Sequence, residues 1–155
     1  MSVHVTTKRI KKDWTDYNEH MNMAYYVLIF DIAWEVILEK FKMGEHSAKT
    51  TKKSTMVVET HTTYNNEVKH NDEVNVFLSH FDHDKKRLHY KLEMYDKNKN
   101  ILSATTEVLS LYIDLNLRKV DEFEKEKIII MDEFINEHKE KFKSENLHFS
   151  NKLKK

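Results

Sequence analysis

A chain of 155 residues is long enough for one domain with its own core and too short for two ordinary ones. Lys plus Arg and Asp plus Glu number 26 each, so charge favours neither a nucleic acid nor an anionic membrane as partner. The absence of cysteine removes disulfides, thiolate metal sites and a cysteine nucleophile together, and suits a reducing compartment.

Met1 to Arg9 contain no apolar run of signal-peptide length, and nothing elsewhere approaches the roughly 20 apolar residues that span a bilayer. The expected location is the cytoplasm. With Gly44 as the only glycine and no proline, turns fall to clusters of Asn, Asp and His, whose short polar side chains tolerate left-handed backbone. One glycine also excludes phosphate-binding loops and dinucleotide fingerprints.

Val3 to Ile10 reads as a short strand and Asp13 to Asn22 as a polar loop with aromatic residues. From Met23, apolar residues at Val27, Phe30, Trp34, Ile37 and Phe41 recur at spacings of four and three, and Asp31, Glu35, Glu39 and Lys42 form a separate polar stripe. Because Ala24, Leu28, Ile32, Ala33 and Val36 widen the apolar side, most of this helix is expected to be buried, with Gly44 ending it. Glu45 to Lys53 reads as charged and irregular.

Beyond it the period changes to two. Ser54 to Tyr64, Glu73 to Phe81, Arg87 to Tyr95 and Ile101 to Ile113 are strand candidates, with alternation clearest at Leu88, Tyr90, Leu92 and Met94. The links Lys69 to Asp72, Asp82 to Lys86 and Asp96 to Asn100 are short enough for antiparallel hairpins or near-hairpins joining all four. A second amphipathic helix is expected from Asp121 to about Phe142, with Ile128, Met131, Ile135, His138 and Phe142 on one face. The single domain therefore covers 1–142, and the polar tail 143–155 is expected to be loose. A buried helix followed by antiparallel strands implies an α+β architecture, the sheet curving around the helix. An uncovered sheet edge favours self-association through strand pairing.

The loop before the helix concentrates the chemistry. Asp16, Asn18, His20 and Asn22 alternate, so an extended loop would turn them to one side, at a helix start where free N–H groups favour negative charge. That set contains an acid/base group, a side-chain amide and oxyanion donors, as acyl hydrolysis requires. Spacing alone leaves a second reading open, in which these residues form a turn and Asn22 is an N-cap.

The string Asp16, Asn18, His20, Asn22, followed by an aromatic-rich helix, resembles the signature of hotdog-fold thioesterases of the 4-hydroxybenzoyl-CoA and acyl-ACP superfamily. Trp14-Thr15-Asp16-Tyr17-Asn18 with His20-Met21-Asn22 is most similar to the betainyl-CoA thioesterase group, as are Glu59 to Tyr64, Asp84 to His89 and Ala104 to Asp114. The resemblance implies a hotdog fold, in which a curved antiparallel sheet wraps a long central helix, here with an added C-terminal helix. It implies an acyl-CoA thioesterase, with Asp16, Asn18 and His20 catalytic. In the 4-hydroxybenzoyl-CoA branch one loop Asp is the key carboxylate; alignment through His20 and Asn22 places it at Asp16, and alignment through Trp14 places it opposite Asn18.

The resemblance further implies a substrate site of Asn22, Met23, Tyr26, Glu59, His61 and Tyr64, the strand residues entering from a partner subunit. On residue type alone Glu59 and His61 fit a solvated strand face. No cofactor is expected beyond the CoA of the substrate. A homodimer, or a dimer of dimers forming a homotetramer, is the expected assembly. The ten histidines include no His-Glu-x-x-His and no helical pair four apart, so no metal is expected. Lys85-Lys86-Arg87 suits either CoA phosphates or plain solvated surface. Trp14, Tyr17, Tyr25, Tyr26 and Trp34 read as core and pocket wall, although a quaternary ammonium would suit an aromatic cage. The competing functions are a thioesterase acting on acyl-ACP and a hotdog module that binds acyl-CoA without catalysis.

Overall fold

A computed structural model describes residues 2–155. The strands are β1 (Val3–Arg9), β2 (Lys53–Tyr64), β3 (Glu73–His83), β4 (Arg87–Asp96), β5 (Leu102–Asp114) and the short β6 (Lys119–Val120). The helices are α1 (Met23–Lys40), α2 (Glu45–Thr51) and α3 (Lys125–His138). All strands pair antiparallel in one sheet of order β1-β3-β4-β5-β2, with β6 added to β5, so the segment before β3 does not close a hairpin: β2 pairs with β5 at one edge, and β3 pairs with β1 and β4. The sheet curls around α1, which is the hotdog arrangement that the loop motif implied.

Alternation places Val74, Val76, Leu78 and Phe81 of β3 on the inner face with Leu88, Tyr90, Leu92 and Met94 of β4. They form one cluster with Tyr26, Ile29, Phe30, Ala33, Trp34, Ile37 and Leu38 of α1. Trp34 lies flat on Tyr90, ring centroids 3.5 Å apart, and Phe41 meets Phe81 at 5.0 Å. Each large side chain so buried contributes about 1.5–3 kcal/mol. Among the described residues no helix is long and apolar enough to cross a membrane.

α1 is less enclosed than its wide apolar side suggests. Met23, Val27, Leu28 and Val36 stay exposed, because the sheet covers only one side of the helix. The helix also ends without help from Gly44. Lys42 takes the left-handed conformation, φ 57°, while its N–H donates to Glu39 O and the Met43 N–H to Leu38 O, a Schellman closure. Gly44 instead precedes α2, where a Cβ would meet the carboxylates of Glu39 and Glu35. The segment read as irregular is therefore helical: the Glu45 N–H is taken by Glu35, and Lys49 pairs with Glu45 at 2.7 Å.

The second helix is shorter than its pattern, and its buried residues are Lys127, Met131 and Phe134, with Ile128, Ile135, His138 and Phe142 only partly covered. The tail is not loose. It crosses the outer face of the sheet, where the Lys143 N–H donates to Ser79 O at 2.7 Å and the Lys154 N–H to Asp84 Oδ2 at 2.8 Å. Between them the His148 and Phe149 N–H groups bond the Glu107 carboxylate, and Phe149 is buried.

Candidate active site

The loop leading into α1 is a compact turn, not an extended segment. Thr15 bridges Met21, the Glu19 N–H donates to Asp16 O at 2.9 Å, and the Asp16 N–H donates to His20 O at 3.2 Å. Glu19 absorbs the reversal with φ 67°, in a chain that has no glycine to place there. Buried Trp14 and Met21 anchor the two arms: Asn22 N–H to Trp14 O, 2.9 Å, and Met21 N–H to Val68 O, 2.8 Å. Tyr17, at the tip, is 93% exposed.

Because the loop turns, alternation does not bring its four polar side chains to one point. Asp16 and Asn22 meet. The Asn22 amide donates to Asp16 Oδ2 at 3.2 Å, and the other Asp16 oxygen accepts the Asn18 N–H at 2.8 Å. The Asn18 side chain is exposed, and His20 sits near enough to act on Asp16 electrostatically without bonding to it. The two readings of Asn22 prove compatible, since its Oδ1 caps α1 through the Ala24 N–H at 3.0 Å while its amide holds Asp16.

These contacts set the charge of the site. The Asn18 N–H, then the Asn22 amide, and more weakly His20, hold the Asp16 carboxyl below its ordinary value against a small opposing effect of burial. Asp16 is thus an anion at neutral pH, suited to act as base or nucleophile and unsuited to act as acid. The Ala24 N–H is taken by Asn22 and the Tyr25 N–H by Asn22 O, which leaves the Met23 N–H at the positive end of α1 without a partner among the described residues. Asn22 therefore ties the carboxylate to the helix start that carries this donor.

The remaining expected residues are dispersed. Tyr26 is buried, its hydroxyl donating to Asn66 O and accepting the Val68 N–H, so it ties α1 to the 66–68 segment. Tyr64 stands edge-on to it at 5.4 Å, on the inner face of β2. Glu59 and His61 are on the other face of β2. His61 pairs with Glu107 in register, and its ring lies 3.9 Å from that of His148 in the tail. Within one chain they do not approach Asp16. Of the basic cluster, Arg87 is engaged by Asp84 at 2.9 Å, and Lys85 and Lys86 are exposed.

Two features escaped the reading of the sequence. A cavity of about 240 Å³ lies between α1 and the sheet, lined by Val27, Phe30, Asp31, Thr62, Leu92 and Val108 among others. Its local signal was the apolar ridge Met23 and Val27, which remains outside the core. On the outer face Glu107 is fully buried and bonds His89 Nε2 at 2.7 Å. Strand alternation hid that pair, because a Glu and a His on a polar strand face read as solvated.

The family model described as the thioesterase-like superfamily matches residues 10–136. A betainyl-CoA thioesterase of Pseudomonas aeruginosa is 28% identical over 114 residues, covering 74% of this chain and 72% of the relative. A Staphylococcus aureus protein solved in complex with CoA superposes with a TM-score of 0.82 at 24% identity, over 89% of this chain and 87% of that one. The 1,4-dihydroxy-2-naphthoyl-CoA thioesterase of Synechocystis superposes at 0.73 with 13% identity, over 82% and 93%. At these identities the two structures bear on the fold alone, which is shared along nearly the whole length. Since the family model takes in both the Asp16 loop and the wrapped helix, the chain belongs to the thioesterase-like superfamily and is a thioester hydrolase.

Proposed function

We propose that the chain hydrolyses acyl-CoA thioesters with a short acyl group, betainyl-CoA or one like it, to the free acid and CoA. The observation that carries the reading is an ionised carboxylate, Asp16, held by the amide of Asn22, the residue that caps α1 and precedes the unpartnered N–H of Met23. Likeness to the betainyl-CoA thioesterase supports the substrate class.

In this reaction Asp16 takes a proton from water as the oxygen adds to the thioester carbon. The carbonyl oxygen gains the negative charge, and the Met23 N–H stabilises it at the helix terminus. Collapse then breaks the carbon–sulfur bond and releases CoA thiolate, a leaving group that needs little acid assistance. His20 carries the proton away, and the Asn18 N–H holds the carboxylate in place. Direct attack by Asp16 would pass through an anhydride and lead to the same products.

The active unit we propose is a homodimer, alone or paired into a tetramer. β2 is one of the two edge strands of the sheet, with β1, and leaves Met56, Val57 and Val58 exposed, so a second copy pairing along it would cover that edge. The test is thiol release from a panel of acyl-CoA esters by the wild type and Asp16→Asn. Full activity in Asp16→Asn would end the assignment of the carboxylate. Tight CoA-ester binding with no thiol released would favour a binding module, and turnover of acyl-ACP alone would favour the carrier-protein reading.

A further inference from the structure

One ridge of α1 changes character along its length. Met23, Val27, Asp31 and Glu35 recur every four residues, so they share a face, and all four are exposed. The first two are apolar and the next two acidic. Beside this ridge the cavity lined by Val27, Phe30 and Asp31 continues into a second of about 320 Å³, the two sharing Asp31, Val57 and Tyr90. The second adds Trp34, Glu35 and Ser110 to the walls.

The charge of this groove has one sign. The only charged residues lining it are the carboxylates Asp31, Glu35 and Glu45, with no Lys, Arg or His among the described residues. Glu35 is occupied by the Glu45 N–H at 2.8 Å, whereas Asp31 has no hydrogen-bond or ion-pair partner among the described residues. The apolar and aromatic part of the wall around Asp31 is Val27, Phe30, Val57 and Tyr90, the last backed by Trp34, and the other polar side chains lining the groove are uncharged hydroxyls, among them Thr60, Thr62 and Ser110. A strongly hydrated ammonium would lose its water in such a place. A quaternary ammonium, with methyl groups for the apolar wall and a charge for the carboxylate, fits both.

Position along the helix sets the length of chain that reaches it. Met23 and Asp31 are separated by about 12 Å of helix axis, and a helical side chain leans back towards the N-terminus by a few ångströms. A cation resting on Asp31 would then lie on the order of 6–8 Å from a carbonyl held at the Met23 N–H, the reach of about three to five carbon atoms. The single methylene of a betainyl group is shorter than this.

We propose that the groove is an acyl subsite for short chains ending in a quaternary ammonium, with Asp31 as the residue that selects the cation. The inference rests on the thioesterase reading above. Its test compares γ-trimethylammonio-butanoyl-CoA, betainyl-CoA and the carbon isostere in which a tert-butyl group replaces the trimethylammonium of the butanoyl ester. Thiol release by the wild type and Asp31→Asn is measured, with thermal unfolding to confirm that both fold.

The expected result is that the wild type prefers the cationic butanoyl ester over its isostere by about tenfold in kcat/KM, and that Asp31→Asn lowers only the cationic ester. Betainyl-CoA should respond less to the substitution than the longer ester. Equal use of the cationic ester and its isostere by the wild type, or equal loss of both in Asp31→Asn, overturns the subsite and leaves the thioesterase reading standing. No thiol from any of the three esters overturns the substrate class proposed above, and the subsite with it.

Discussion

Replacing Glu107 with Gln should release the C-terminal strap. The Glu107 carboxylate is buried on the outer face of the sheet and accepts His89 Nε2 at 2.7 Å, the Phe149 N–H at 2.9 Å and the His148 N–H at 2.8 Å. A Gln oxygen in the Oε2 position retains bonds to His89 and Phe149 and the 2.9 Å arm of the His148 bond, but its amide then faces the same His148 N–H, donor against donor, in place of the 2.8 Å arm. Charge-assisted bonds also become neutral ones, a loss of about 1 kcal/mol apiece, so the whole change costs about 2–4 kcal/mol. In a chain of this size that lowers Tm by roughly 5–15 °C.

The acid response gives a second readout of the same group. Burial raises the Glu107 carboxyl, but bonds from the His148 N–H, His89 and the Phe149 N–H outweigh it and leave the group below its ordinary value. A carboxyl lowered by folding stabilises the native state above its unfolded pKa, near 4.3, and that contribution disappears as pH falls through the lower folded value. Unfolding by urea, followed from pH 3 to 7, should therefore show a shallower acid limb in Glu107→Gln than in the wild type. Limited proteolysis should cut the variant sooner between Lys143 and Lys155. An unchanged Tm together with an unchanged cleavage rate in the tail would refute the strap.

Asn22→Ala removes both the cap of α1 and the amide that holds Asp16, so helix stability should fall by about 1 kcal/mol. Without that amide the Asp16 carboxyl rises towards its ordinary value, and the acid limb of kcat/KM should move to higher pH, as a pH–rate profile will show. Val57→Arg places a charge on the exposed edge strand and should yield a monomer of low activity by light scattering and thiol release; a fully active monomer would remove the dimer from the mechanism. Lys52 ends α2 in a left-handed conformation, φ 59°, so Lys52→Gly should stabilise the fold by up to about 1 kcal/mol in urea unfolding.

Local pattern determined a good deal. The spacing of apolar residues from Met23 gave α1, with Asn22 at its head, and period-two alternation gave the four long strands to within a residue or two at most ends. The motif from Asp16 to Asn22 pointed to the superfamily that the family model supports. Both kinds of information are local: a helix and a strand write their own period into the residues they bury, and a loop that does chemistry keeps its residue types in order.

Tertiary structure decided the rest, because each remaining feature depends on a contact between residues distant in sequence. The turn at Glu19 is held by Trp14 and by Val68, which folds the loop and leaves the Asn18 side chain apart from the paired side chains of Asp16 and Asn22. Lys42, with no glycine's freedom, accepts a left-handed conformation because Met43 and the carbonyls of α1 close around it. The tail looked too polar to pack, yet its backbone N–H groups found a buried carboxylate on β5, 41 residues away. Asp31 read as one more charge on the polar side of a helix until the sheet curled around that helix and left a groove at its side. The residues of such a groove are chosen by where the sheet stops covering the helix, and no period along the chain records that boundary.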